Sequence, residues 1–546
     1  MVTTFENGPP VAQTCISTLI ALALSLGAQS AAAQVQPNAG SLLSATEQGS
    51  ASASGQQSSD VTISNQDPSQ AVAPGGAKIS INAVSIRGES VFSEAVLLAV
   101  IAHTTGARYD LADLLGLGEA ITNYYRQEGY PFAYAYLPAQ EVSDGTLIIE
   151  VIEGRYGSIA TSGSAELAGP AEAYTNALRV GDVIAQDRLA RTVLILGDVP
   201  GIAIEPVLSA GTDFGTGDLD IKIAKKRGWD GSFTLDNHGN RYAGDIRAHI
   251  NLGFNQLLTF GDRLSISLLH SNGAMTLGKV GYEFALGGSG LRGNVSASKY
   301  EYALSDNFVG FDGGSEALSA TLSYPIVRSV KTNLTTSLGY QHASLRDGLN
   351  GFNFDDKTSR VFTASLAFDH RDAWGGGGQT YGSLALSHGD ITSTSGVAVQ
   401  GSFSKVAMDI SRQQTLSGGF SLMVRANAQI SANPLNSSQQ ISLGGATGVR
   451  AYPSGEAAAT TGGYVQSELS YTRGIYSSFM FYDIGAIEAE GAAPSRTLSG
   501  YGVGLRMTQG ALQASLSVAL KGTGGAAQSD TLQRSPRIWA ELNYSF

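Results

Sequence analysis

The sequence predicts a mainly β protein: a 16-stranded antiparallel transmembrane β-barrel preceded by two small α+β domains. Three observations carry this reading. From Trp229 to Phe546 polar and apolar residues alternate, and no helical period survives. Beyond the N-terminal apolar stretch no run of 18 or more apolar residues exists, so any membrane crossing is made by strands. Between about Lys78 and Arg227 the texture is compact and mixed, and the order strand, helix, helix, strand, strand occurs twice.

Composition narrows the function classes. The 68 glycines and 15% charged residues in 546 suit a strand-and-turn chain. A net charge of -12 gives no electrostatic reason to contact phosphate backbones, which argues against nucleic acid as a partner. The one cysteine, Cys15, lies in the N-terminal apolar run, so a processed chain has no thiol for disulfides, zinc or cysteine catalysis.

Residues 1–33 read as a signal peptide. Ile16 to Leu26 is a short apolar stretch, and small residues end in Ala31-Ala32-Ala33 before Gln34, an Ala-x-Ala cleavage pattern. The leading Met1 to Thr14 departs from the usual form, with no Lys or Arg and one Glu. Residues 34–77 are rich in Ser, Ala, Gln and Gly and hold too few aliphatic groups to offset backbone ordering. They are expected to form a disordered linker, with Leu42 and Leu43 available for a helical turn against another surface, a possible plug helix.

The first compact unit spans 78–154. Ile79 to Arg87 reads as a strand, Ser93 to Ala102 as a helix, and Asp110 to Gln127 as a longer helix with Asp110 as N-cap and Gly129 as its stop. Strands at Phe132 to Leu137 and Thr146 to Ile152 follow, the second burying Leu147, Ile149 and Val151. The second unit spans 155–227. It has a strand at Tyr156 to Ser162, helices at Glu172 to Arg179 and Gln186 to Leu196, and strands at Ala203 to Leu208 and Leu219 to Ala224.

The barrel occupies 228–546. Phe420, Leu422, Val424, Ala426, Ala428 and Ile430 alternate with polar residues, as do Leu512, Ala514, Leu516, Val518 and Leu520, while Arg425 and Arg506 fall on the opposite, lumenal face. Turning either arginine to lipid would cost ~2 to 4 kcal/mol. At about 20 residues per strand and connection, the segment holds about 16 strands, an even number as closure of a single chain requires. Its last segment alternates apolar Ile538, Ala540, Leu542, Tyr544 and Phe546 with Arg537, Glu541, Asn543 and Ser545.

Signals for an enzyme are poor. Gly375 to Gly378 lacks the Gly-Lys-Ser/Thr of a phosphate cradle, no His pair has metal-ligand spacing, and no Gly-x-Ser-x-Gly elbow occurs. His370 and Asp372 read as rim residues, and Glu488 and Glu490 as water-facing. No catalytic residue, cofactor or metal is expected.

The stretch Gly129-Tyr130-Pro131, then Ala133 to Pro138, then Ile149 to Gly157 resembles the POTRA domains of two-partner secretion transporters. These are the TpsB-type outer-membrane proteins of the haemolysin and filamentous haemagglutinin secretion-activation family, in the POTRA-barrel superfamily. The resemblance runs from about Lys78 to Phe546. It implies a barrel of 16 strands in the bacterial outer membrane, periplasmic POTRA domains, and export of a secreted partner protein, an adhesin, haemolysin or cytolysin. It also implies contact with outer-membrane lipid and with the barrel assembly machinery, for which the terminal Phe546 would be the C-terminal assembly signal. A small sheet with an open edge accepts an unfolded client as an added strand, which suits the POTRA units to capture; the alternative is that they only space the barrel.

Two motifs sharpen the resemblance. Gly444-Gly445-Ala446-Thr447-Gly448-Val449-Arg450-Ala451-Tyr452 contains Val-Arg-x-Tyr, and Phe481-Tyr482-Asp483-Ile484-Gly485 sets an Asp among apolar residues. They resemble the superfamily's paired signature, in which a long sixth loop folds into the barrel and sets its Arg against a wall Asp. Carried over, Arg450 is the loop cation and Asp483 its wall partner, supported by Val449, Tyr452, Phe481 and Gly485. Ala451 departs from the usual Gly and would strain a turn needing a positive backbone angle. A guanidinium and carboxylate in a narrow lumen form a charge-assisted contact able to pin a loop, as a structural brace or as a gate. Two competing readings are an insertase of the same superfamily, disfavoured by having only two POTRA-like units, and a diffusion porin, disfavoured by the soluble units and the paired motifs.

Overall fold

The structure, a computed structural model, describes residues 36–50, 75–101, 106–142, 144–395, 399–491 and 494–546. The expected signal peptide lies outside them.

Of the expected disordered linker with a possible plug helix at Leu42 and Leu43, it is the helix that is seen over Ala39–Ser50, as α1. Asn38 caps it, its Oδ1 accepting from Ser41 N at 2.9 Å. The segment has too little apolar surface to fold alone, but the barrel lumen supplies the missing partner: Ala39 and Leu42 are buried in a cluster with Tyr242, Tyr300, Tyr302 and Leu345. Asp347 accepts from Ala39 N at 2.8 Å and from Tyr302 OH at 2.6 Å, and Lys357 balances its charge at 2.6 Å. Gly40 lies against the long loop that enters the barrel, where a Cβ would sit 2.5 Å from Ser437 Oγ.

In the first unit the single strand expected at Ile79 to Arg87 is two, β1 (Ile79–Ile81) and β2 (Ala83–Arg87). Asn82 N and Ala83 N both donate to Gly145 O, at 2.7 and 3.2 Å, pinning the chain where it changes sheets. Then come α2 (Glu94–Ile101), β3 (Ala107–Tyr109), α3 (Leu111–Gln127), β4 (Tyr134–Tyr136) and β5 (Thr146–Ile152). β1 pairs with β3, and the main sheet runs β2-β5-β4. Asp110 caps α3 through a reciprocal box with Asp113, and Gly129 takes a φ of 90° beyond its end.

The second unit comprises β6 (Arg155–Gly163), α4 (Ala165–Thr175), α5 (Gln186–Gly197), β7 (Ile202–Ala210) and β8 (Thr216–Lys225), with sheet order β6-β8-β7. α4 lies earlier than the expected Glu172 to Arg179 and contains Pro170. Its buried Leu167, Ala171 and Tyr174 recur at i, i+4, i+7, and their contact with the sheet outweighs the proline's local cost.

The two units meet at Glu153, 3% exposed. It accepts from Ser90 N at 2.6 Å, Val91 N at 2.7 Å and Tyr125 OH at 3.0 Å, and pairs with Arg155 at 2.8 Å. Phe132 of the first unit packs on the core of the second. The second unit in turn seats on one barrel rim: Asp198 takes a two-pronged contact from the buried Arg328, both 2.7 Å, and Arg191 donates to Pro325 O at 2.7 Å.

Sixteen strands form the closed antiparallel barrel. Closure joins the first, Trp229–Asp236, to the last, Arg537–Ser545, over Glu541↔Asp236 to Ser545↔Ser232, and Gly231 and Phe546 exchange backbone bonds of 3.0 and 2.9 Å beyond that ladder. The faces follow the expected alternation. Ile430, Leu516, Ile538, Leu542 and Tyr544 are exposed on the outer wall, whereas Arg425 and Arg506 turn inward to Asp409 and Glu468.

Burial works to raise the Glu153 carboxyl, but the hydrogen bonds from Ser90, Val91 and Tyr125 outweigh it and hold the group below the usual glutamate range. A depressed carboxylate adds stability above its unfolded value, and that stability is lost as pH falls through the folded one. Hydrogen-exchange protection of β5 amides in the full chain should therefore decline on acidification below about pH 4.3. In Glu153→Gln it should be lower at pH 7 and flatter with pH; an unchanged pH slope would refute this account.

Candidate functional site

The chain between strands Phe420–Ser431 and Gly462–Arg473 folds back into the lumen. A two-residue ladder, Ile441–Ser442 with Ala458–Ala459, holds its stem. Within it Val449 N donates to Leu443 O at 2.7 Å and Tyr452 N to Val449 O at 3.0 Å, a tight turn that aims Arg450 at the wall. Gly448 permits that turn, since a Cβ there would lie 2.1 Å from Leu443 O.

Arg450 meets Asp483 at three points: Nε to Oδ2 at 2.8 Å, Nη2 to Oδ1 at 2.7 Å, and its backbone N to Oδ2 at 3.1 Å. Asp483 is fully buried on strand Tyr476–Ile487, opposite Gln466 and Gly500 on its neighbours. The guanidinium lies 3.6 Å over the Phe481 ring, and Arg450 O accepts from Trp539 Nε1 at 2.7 Å. Tyr452, 0% exposed, donates its hydroxyl to Thr523 O at 2.8 Å. Gly485 leaves room for the loop, because a Cβ there would stand 3.1 Å from Leu443 Cδ2. Val449 is buried in the same cluster. The expected loop and wall residues are thus brought together. Phe546 lies apart from them, at the periplasmic end of the closing strand, its ring 5.8 Å from Trp229.

Sequence reasoning named Arg450, Asp483 and the inward Arg506 but missed the carboxylate that joins them. Glu468, 2% exposed, accepts from Arg450 Nη1 at 3.0 Å and Arg506 Nη2 at 2.9 Å, so two cations share two wall carboxylates. Its signal was present: Tyr464, Gln466, Glu468 and Ser470 form the polar register of their strand. A second buried carboxylate, Glu456, takes Arg496 and the amides of Gln528 and Ser529, both 2.8 Å, tying the inserted loop to the last one. Glu490 is not simply water-facing, for it accepts from Thr460 N at 3.0 Å and braces the loop stem. Removing one partner of such a buried pair costs ~3–5 kcal/mol, because the other charge is left uncompensated.

Ala451 is not among the positive-φ residues, so its methyl brings no backbone strain. The room comes from the opposing strand, where Gly500 faces it and a Cβ at Gly500 would lie 2.4 Å from Ala451 Cβ.

The family model for haemolysin secretion/activation proteins ShlB/FhaC/HecB matches residues 215–507, and that for the ShlB-type POTRA domain matches 79–154. The chain belongs to this family of secretion transporters. Heme/hemopexin transporter protein HuxB of Haemophilus influenzae is 28% identical over 495 residues, 86% of this chain and 87% of the relative. Outer membrane transporter CdiB of Escherichia coli is 24% identical over 497 residues, 85% and 82% of the two chains. Among solved structures, CdiB from Escherichia coli superposes with a TM-score of 0.76 at 19% identity, covering 94% of this chain and all of that one. BamA from Haemophilus ducreyi lacking POTRA domains 1–3 reaches 0.50 at 15%, with 86% of this chain and 100% of that one covered, and so shares the fold. The transporter is an outer-membrane protein with POTRA domains in the periplasm, and it exports a partner protein.

Gly500→Ala should destabilise the barrel by about 1–3 kcal/mol through overpacking, and Ala451→Gly in the same chain should restore most of the loss. The temperature at which folded electrophoretic mobility is lost measures both. A Gly500→Ala chain as stable as its parent would mean the loop and wall are not in hard contact.

Proposed function

We propose that the POTRA pair captures an unfolded partner of adhesin, haemolysin or cytolysin type at an open sheet edge, and that the partner leaves through the barrel as an extended chain. The contact of Arg450 with Asp483 and Glu468 carries this reading. A loop held by buried charge is a two-state element, seated or released, and its release widens the lumen. α1 occupies the same lumen and rests on the same loop, Ser44 Oγ donating to Gln440 O at 3.0 Å, so α1 must part from the loop before a client passes. No catalytic step or cofactor is needed; folding of the client outside makes its return unfavourable. We infer that Phe546 serves assembly of the barrel rather than transport, since it lies at the seam and not in the lumen.

Arg450→Ala should lower secretion of the partner about tenfold, because the loop loses the defined seat to which each transport cycle returns it, while leaving the amount of folded barrel in the outer membrane unchanged. Equal loss of both at matched expression would sink the gating role and leave a structural brace. Asn38→Cys with Ser437→Cys should form a disulfide, since these two side chains meet at 2.8 Å, and stop secretion until a reductant is added. Secretion that continues with the bond formed would show that α1 stays in place during transport.

A further inference from the structure

The join between the second POTRA unit and the barrel has features the transport reading does not use. β8 ends at Lys225, and only Lys226, Arg227 and Gly228 separate it from Trp229, the first residue of the barrel. Lys225, Lys226 and Arg227 are all exposed. Among the described residues no carboxylate lies within ion-pair distance of any of them. Asp230, which feels the charge of Arg227, forms its ion pair with Arg263 at 2.6 Å, and Asp198 pairs with Arg328 at 2.7 Å.

Trp229 fixes the depth of this cluster. It heads an outward row with Phe233 and Leu235, exposed at 42%, 40% and 41%, which in a membrane barrel faces lipid. Tryptophan at the end of such a row sits at the headgroup boundary. At roughly 3.3 Å per residue, Arg227 lies about 7 Å beyond it along the chain, at the headgroup layer, and Lys226 and Lys225 follow at about 10 and 13 Å, where their long side chains reach back toward it. The Arg227 guanidinium lies 3.8 Å over the Trp229 indole, which turns the cation toward the membrane-facing side.

The adjacent turn completes the surface. Asp262, fully buried, accepts from Leu257 N, Leu258 N and Thr259 N at 2.7, 2.8 and 2.7 Å, and this ordered turn leaves Leu257 and Leu258 exposed at 54% and 75%. Gln256 Nε2 donates to Pro200 O at 3.0 Å, anchoring the turn beside the POTRA unit. Exposed apolar tips beside cations that carry no ion pair match the two ends of a phospholipid.

We propose that Lys225, Lys226 and Arg227, with Trp229, Leu257 and Leu258, form a binding site for an anionic phospholipid headgroup of the periplasmic leaflet. The cations take the phosphate and its net negative charge, and the tryptophan and leucines take the acyl-chain end. Such a lipid braces the short join at which the POTRA pair is carried.

The test is native mass spectrometry of the full-length transporter in micelles holding equimolar phosphatidylglycerol and phosphatidylethanolamine. The parent should retain phosphatidylglycerol in preference by about threefold or more, and 0.5 M NaCl should reduce that preference. Lys225→Gln with Lys226→Gln and Arg227→Gln should bring the ratio near one, with folded electrophoretic mobility kept. Arg227→Lys, which keeps the charge, should keep the preference, and Lys226→Gln alone should lower it should the triple variant fail to fold. Equal retention of the two lipids by the parent, or an unchanged ratio in the glutamine variants, overturns the proposal. None of these readings depends on secretion.

Discussion

Everything in this protein hangs on the requirement that backbone polar groups in lipid find partners within the protein. Strands can meet it only by closing on themselves. Here closure rests on a short ladder between Trp229–Asp236 and Arg537–Ser545, extended by the exchange between Gly231 and Phe546. Once the wall is closed, the two-residue period sends every second side chain inward. That is why Arg425, Glu468, Asp483 and Arg506 share one interior although they are far apart in sequence.

A lumen so lined must balance its own charge. Arg450 and Arg506 against Asp483 and Glu468 do so at one side, and Lys357, at 2.6 and 3.1 Å from Asp347 and Asp355, offsets part of the negative charge at another. Each group stands where it is costly to leave unpaired. The inserted loop and α1 fill the barrel through polar contacts, joined by an apolar cluster around Leu42 and Tyr302 that helps to hold the helix. Buried charge of this kind gives a defined seat without an irreversible one.

The alternation of the wall, the inward arginines, the cap at Asp110 and the inward residues of β5 were legible in the sequence because each is set by local periodicity or local chemistry. Arg450 and Asp483 were legible only through resemblance, since nothing in their spacing joins residues 33 positions apart on a loop and a strand. Glu468 was present in the register of its strand but has no motif around it. α4 begins before the expected Glu172 because burial of Leu167 and Tyr174 against the sheet outweighs the local cost of Pro170. Asn82 divides a strand that its sequence would continue, because a distant carbonyl at Gly145 claims its amide.

The sequence by itself determined the class of protein, a barrel with two small domains before it, because strand period, helix caps and the absence of long apolar runs are properties of neighbouring residues. Tertiary structure alone decided that residues 39–50 are a helix, that Ala451 is accommodated by a glycine on the facing wall, and that four charges form one network. The reason is common to all three. Each depends on a surface contributed by chain that is remote in sequence, and the free energy of that contact exists only after the barrel has closed.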